Sequence, residues 1–371
     1  MKHSWRIGKI FGIDINIDSS WLVIFILFSW ILSTGYFPQQ HPDWPRALFW
    51  IIGVMTSLLI FISVLVHELA HSLVAIKQGE KVRNITLFLF GGVAQISEEP
   101  KKPLQELTMA LVGPMSSLIL AFFFFVLSLL LRGISEPLHA SAFYLALINL
   151  ALAVFNLLPG FPMDGGRVLR SIIWRVSGDL RKATRIASLT GQGLAFLLIF
   201  LGILQILMAN LSGLWLIFIG WFLHSAAVRG YHQVMVEALL KGVRAEDLMN
   251  KDFETVPFDL PVQSLVDDYI LKKRERVFLV EDKGNLKGIV CLEDVKATPQ
   301  DKWEGTIVGE IMTPKERLEA VAPDADGRKI LRSLTSRDIH QVPVMEGEKI
   351  AGIVCRSDIL RFIQFRSELG V

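Results

Sequence analysis

The first 230 residues alternate between long apolar runs and short polar breaks. The runs lie at about Ser20–Tyr36, Ala47–Lys77, Leu104–Leu131, Ser141–Leu158, Ile186–Met208 and Leu214–Val228. Each is close to the ~20 residues a helix needs to cross a bilayer, so the pattern predicts six transmembrane helices. Ahead of the first run, Ile13-Asp14-Ile15-Asn16-Ile17 alternates with period two, as a strand or interfacial segment does. Between the second and third runs, Ile85 to Ile96 reads as two short strands interrupted by Gly91-Gly92. The loop Phe37–Arg46 holds three prolines and reads as an interfacial turn.

After Tyr231 the character changes. Of 36 acidic residues, 25 follow Gly230. This part also repeats itself. Glu246-Asp247-Leu248-Met249 returns as Gly309-Glu310-Ile311-Met312. Lys287-Gly288-Ile289-Val290-Cys291-Leu292-Glu293-Asp294 returns as Ala351-Gly352-Ile353-Val354-Cys355-Arg356-Ser357-Asp358. Such a long period suits a duplicated small domain better than a solenoid. Each copy reads as a helix, two strands joined by a turn, and a helix. The expected architecture is an α-helical polytopic membrane domain over residues 1–230, a linker over 231–242, and two α/β repeats over 243–299 and 307–365.

Composition agrees. The chain has 371 residues, 52% of them hydrophobic, and a mean hydropathy of +0.46. That excludes a disordered or ordinary soluble protein. A net charge of +2 gives no reason to expect a nucleic-acid partner. The two cysteines, Cys291 and Cys355, are too far apart for a disulfide framework or a zinc knuckle. The first apolar run follows a polar lead without a small-residue cleavage pattern, so it reads as a retained span. Basic residues cluster before the first span, after the second and after the fourth. By the positive-inside rule both termini are expected in the cytoplasm of a multi-pass cell-membrane protein.

The chemistry concentrates at His67-Glu68-Leu69-Ala70-His71, in the later half of the second run. Histidines four apart share one helix face and can reach one metal ion. Glu68 is the residue type that serves such sites as general base. A carboxylate inside a membrane span costs about 2.5–3.5 kcal/mol on insertion scales, so a chance match is a poor explanation. A catalytic zinc takes three protein ligands and keeps one position open. Asp164 offers the third, at the end of the fourth span and on the same side of the membrane. Pro159, Pro162, Gly160, Gly165 and Gly166 break the helix around it. Irregular backbone at that depth implies a protein-lined or water-filled site. Asn156 either holds the substrate carbonyl and its developing oxyanion or caps the broken helix. The Gly91-Gly92 strands are either a plain hairpin or an exposed edge to which an extended peptide can add.

His-Glu-Leu-Ala-His on the second span, with Asn156-x-x-Pro159-x-x-Pro162-x-Asp164-Gly165-Gly166 ending the fourth, resembles the site-2 protease family of intramembrane zinc metalloproteases. The resemblance covers about residues 1–230. It implies that His67, His71 and Asp164 bind one zinc ion, that Glu68 activates water, and that Asn156 positions or polarises the scissile peptide. It also implies that Phe90, Gly91 and Gly92, together with Pro159 and Pro162, contact the substrate. Substrates of that family are transmembrane proteins, such as anti-sigma factors or membrane-tethered transcription factors.

The repeats resemble a tandem pair of CBS domains. That resemblance implies ATP, ADP or AMP in the clefts between them, with Asp294 and Asp358 on the ribose, or else a pair that only mediates dimerisation or substrate contact. Where that family often has Thr or Ser near the phosphate, this chain has Cys291 and Cys355, which are weaker donors. The leading expectation is an intramembrane protease adjusted by its CBS pair. The alternatives are a CBS-gated transporter and a non-catalytic membrane scaffold.

Overall fold

The computed structural model describes residues 4–369, apart from 90, 97–99, 101, 274, 337, 338, 340 and 348. The chain divides into two compact units, Met1–Val234 and Met235–Val371.

The first unit opens with a hairpin, β1 (Ser4–Ile10) and β2 (Ile13–Asp18), which runs straight into α1 (Ser19–Gln40). Asp18 caps that helix by accepting from the Ser20 amide at 3.0 Å. Then come α2 (Arg46–Lys77), β3 (Val82–Phe88), β4 (Gly91–Ile96), α3 (Pro103–Leu131) and α4 (Glu136–Asn156). A shorter α5 (Asp164–Ser177) precedes α6 (Leu180–Leu207) and α7 (Gly213–Leu239). Six of these helices are long and apolar enough to cross a membrane, as the apolar runs predict.

The seventh, α5, differs from expectation. Residues 167–185 read as a basic loop, because Asp164-Gly165-Gly166 looks like a breaker. The glycines instead lie in the first turn of α5, where they pack closely rather than end the helix. Gly178, at φ +69°, closes α5 in the left-handed conformation, and Asp179 restarts the chain by capping α6. The fourth span also begins earlier than the apolar pattern suggests, at Glu136, with Pro137 in its first turn.

The four strands form one mixed sheet in the order β1-β2-β3-β4, parallel only between β2 and β3. Ile13, Ile15 and Ile85 seat its inner face on Leu65 and Leu69 of α2. These leucines flank Glu68 in sequence, so the sheet covers the helix at the level of the histidines. Deeper in the bundle, polar side chains join α2 to α4. Thr56 Oγ1 and Ser141 Oγ are 2.6 Å apart, and Asn149 Nδ2 donates to Ser63 Oγ at 3.2 Å. Small polar pairs of this kind tie helices together where lipid supplies no hydrophobic drive.

In the second unit β5 (Thr255–Pro257), β6 (Val277–Asp282), β7 (Asn285–Cys291) and β8 (Thr313–Pro314) form a sheet in that order, and β9 (Gln341–Glu346) pairs with β10 (Lys349–Cys355). The expected turns are present at Lys283-Gly284, where both residues have positive φ, and at Gly347. The cores cut across the linear repeats. Leu240, Val243, Ala245 and Leu248 pack with Ile330, Val342 and Val354 of the second repeat. Val308, Ile311 and Met312, which open the second repeat, pack with Phe278 and Val290 of the first. Asn250 bridges Ile353 just as Thr313 pairs with Ile289. Each repeat therefore completes the other.

Candidate metal centre

On α2 the residues Thr56, Ile60, Ser63, His67 and His71 follow at helical spacing and form the buried stripe. Both histidines are about 5% exposed. The third group arrives from the opposite direction. After α4 ends at Asn156, the chain reverses through Pro159, Gly160 and Pro162 and starts α5 at Asp164. The reversal is packed backbone to backbone. A Cβ on Gly160 would collide with Gly191 of α6, and one on Gly165 or Gly166 would collide with Leu157 or Gly160. The Phe161 amide donates to the Ala187 carbonyl at 3.1 Å, and the Gly166 amide to Met163 at 3.0 Å. Asp164 is held at this depth by glycines that let main chain touch main chain.

Three side-chain atoms converge. His67 Nε2 and His71 Nε2 lie 3.2 and 3.1 Å from Asp164 Oδ2, and 3.2 Å from each other. Among the described residues this is the group of three whose ligand atoms gather for a metal. His71 Nδ1 is 2.7 Å from the Met109 carbonyl oxygen, which can only accept, so the proton sits on Nδ1 and Nε2 presents a lone pair. His67 Nδ1 is 2.9 Å from Ser117 Oγ, which can hold the second ring in the same tautomer. Two imidazole lone pairs and a carboxylate then face one another without a donor between them. That donor set suits a cation. Tetrahedral ligands at the ~2.0–2.1 Å usual for zinc stand about 3.3 Å apart, close to the spacing here.

The wall behind the rings is α3, a helix that carries none of the residues expected at the site. Gly113 faces both histidines: a Cβ there would sit 2.7 Å from His67 Nε2 and closer still to His71 Nε2. Ala110, Gly113, Ser117 and Ala121 make a buried small-residue stripe on an otherwise bulky helix. That stripe was a readable sign of close approach.

The remaining predicted residues fall as follows. Glu68 meets β4: a Cβ on Gly92 would overlap the Glu68 side chain, so the strand runs against the carboxylate. Gly91 opens β4 with φ +126°, pairing with Phe88. Phe90 lies outside the described residues. Asn156 is the last residue of α4, half-buried, and its side chain makes no hydrogen bond among the described residues. Pro159 and Pro162 shape the reversal. The lone histidines lie apart from this cluster, His139 on the Ser128 carbonyl and His224 beside Phe196.

In the second unit Asp294 and Asp358 sit at corresponding places. Each accepts from the amide three residues earlier, Cys291 at 2.8 Å and Cys355 at 3.0 Å. Both carboxylates thus cap their own helices. Burial, reinforced by the neighbouring aspartates, pushes the Cys291 thiol up to about 11 and the Cys355 thiol up to about 12.

A helical membrane bundle that brings two histidines and an aspartate together, joined to a sheet-containing repeat pair, is the fold of a membrane-embedded protein with a candidate metal centre. The chain belongs to peptidase family M50, which matches residues 55–140 and 132–200, and it carries two CBS domains, matching 245–299 and 308–364. A relative in Synechocystis sp. is 35% identical over 98% of this chain and 96% of its own. A protein named zinc metalloprotease in Methanocaldococcus jannaschii is 32% identical over 100% of this chain and 99% of its own. The solved site-2 protease from the same archaeon shares 32% identity, covers 62% of this chain and 95% of its own, and superposes with a TM-score of 0.42.

Proposed function

We propose that this chain is a zinc-dependent endopeptidase that hydrolyses peptide bonds in or near transmembrane segments of other proteins. The observation that carries the reading is the convergence of His67 Nε2, His71 Nε2 and Asp164 Oδ2 inside a membrane-spanning bundle. In this reading those three residues hold the ion. Zinc, when bound, supplies Lewis acidity toward a carbonyl and toward water. Glu68 takes a proton from the attacking water at its carboxylate and returns it to the leaving amide nitrogen. Asn156, whose amide is uncommitted, donates to the oxygen on which negative charge develops. A transmembrane helix shields its own peptide bonds, so it must unwind before it is cut. The β4 edge at Gly91 and Gly92 lies against Glu68 and offers an unwound segment main-chain pairing. In this reading Pro159 and Pro162, in the reversal that leads to Asp164, contact the substrate. The transporter and scaffold alternatives lose support, because relatives that span this chain end to end include a named zinc metalloprotease.

The further parts of the reading rest on sequence. Boundaries at 1–230, 231–242, 243–299 and 307–365 separate the protease domain, linker and CBS domains. The basic loops put both termini and the CBS pair in the cytoplasm. The pair dimerises the chain and tunes activity by taking ATP, ADP or AMP beside Asp294 and Asp358. If millimolar ATP, ADP and AMP give no heat on the full chain, nucleotides drop out of this reading. The substrate is a transmembrane protein such as an anti-sigma factor or a membrane-tethered transcription factor.

The deciding experiment is cleavage of a single-span substrate by the detergent-purified chain. Wild type should cut it, a zinc chelator should stop it, and Glu68→Gln should hold zinc without cutting. Turnover by Glu68→Gln at the wild-type rate would sink the general-base role.

A further inference from the structure

One face of α3 meets both histidines of α2 and, a turn away, the helix that begins with Asp164. Glu106, Met109, Gly113 and Ser117 follow at helical spacing, and all are buried. The last three meet the histidines of α2. Glu106, a turn away, reaches instead to α5, the helix that begins with Asp164. Its carboxylate is fully buried and accepts from Arg170 Nε at 2.6 Å, with Arg170 Nη2 on the same oxygen. Arg167 Nε stands 3.9 Å from that oxygen, and Arg167 Nη2 is 3.2 Å from Met109 Sδ. The Arg170 guanidinium also lies 5.2 Å above the Phe161 ring, within the reversal that precedes Asp164.

A buried charge pair is weak evidence for stability, because apolar residues of similar volume often pack as well. It is better evidence for register. Asp164 is the first residue of α5, so its carboxylate sits wherever α5 sits on α3. Apolar contacts let two helices slide or turn a little. A planar guanidinium fork on a fixed carboxylate does not.

We infer that Glu106 and Arg170 are positioning residues: their buried pair sets the register of α5 against α3 and so brings the Asp164 carboxylate to the two imidazoles. This rests on the metal-centre reading above.

The test measures zinc affinity of the full chain in detergent, by competition with a chromophoric chelator, beside the melting temperature of the zinc-free protein. The double variant Glu106→Leu/Arg170→Met keeps volume and removes both members of the buried pair together; Arg167, which also faces the Glu106 carboxylate, is partly exposed and keeps its charge outside the buried pair. It should melt near wild type without zinc, yet bind zinc about 10- to 100-fold more weakly, as loss of supporting contacts around a metal does. Arg170→Lys keeps the charge and loses the fork, so it should fold and bind zinc severalfold more weakly. Wild-type zinc affinity in either folded variant overturns the inference. So does a lowered zinc-free melting temperature with unchanged affinity, which marks a purely structural pair. Wild type taking up no zinc that His67→Ala loses would instead overturn the metal-centre reading, and this inference with it.

Discussion

Gly113→Ala adds one methyl group at the most crowded point of the metal centre. The new Cβ would lie 2.7 Å from His67 Nε2 and 2.5 Å from His71 Cε1. Ordinary contact begins near 3.4 Å, so each imidazole must retreat by at least ~0.7 Å, or α3 must move back as a unit. Neither is easy. His71 is tied through Nδ1 to Met109 and His67 to Ser117, both on α3 itself. Overpacking of this kind costs typically about 1–3 kcal/mol. Metal sites tolerate only about 0.2 Å in ligand distance. The cost should therefore appear mostly as lost zinc affinity, about 10- to 100-fold if it falls wholly on the bound state. The assay is chelator competition with metal content per chain. Gly193→Ala on α6 is the control, since nothing lies within 4 Å of a Cβ there. It should leave zinc binding unchanged. A Gly113→Ala protein with full zinc stoichiometry and wild-type affinity would refute the geometry argued here.

Three other outcomes follow from separate parts of the molecule. Gly92→Val drives a side chain into Glu68 and leaves the three convergent atoms alone; cleavage should fall at least ~100-fold, on the scale of a 1 Å misplacement, while zinc content stays at wild type, and loss of both together would show that β4 supports the ligands too. The cysteine thiols should resist alkylation at pH 8 in the native chain and react on unfolding, because burial holds them near 11 and 12 against an ordinary 9. The sign follows from linkage. A thiol raised on folding contributes stability in full below about pH 9 and loses it as pH climbs toward 11–12. Melting temperatures from pH 8 to 11 should fall less steeply in Cys291→Ala/Cys355→Ala than in wild type, and equal slopes would contradict this.

Much of the fold was legible because the membrane imposes a coarse code. Apolar runs of spanning length gave six helices, and period-two alternation marked β2. The boundaries were less legible where a charged or polar residue still continues a helix. Glu136 opens α4, and α7 runs on past Arg229 to Leu239. Residues 164–177 were hidden because glycine and arginine argue against a span, although an amphipathic helix beside the bundle accommodates both. In the soluble unit the repeat was plain, but the exchange of leading segments was not. Periodicity shows that a segment packs, not which of two similar cores receives it.

At the candidate site, the sequence by itself determined which chemical groups lie close together along the chain. His67, Glu68 and His71 share a helix turn, so local geometry alone puts them near one another. The breaker-rich stretch around Asp164 marked a carboxylate that an unbroken helix would not carry. The tertiary structure decided everything that depends on two elements meeting. It placed Asp164 Oδ2 at the two Nε2 atoms, made α3 the wall that orients both rings, and bound Glu106 to Arg170 across 64 residues of chain. The physical reason is that hydrogen bonds within a helix turn are dictated by adjacency in sequence. Contacts between helices depend on which small residues let the backbones approach and at what register, and that is settled only when the bundle packs.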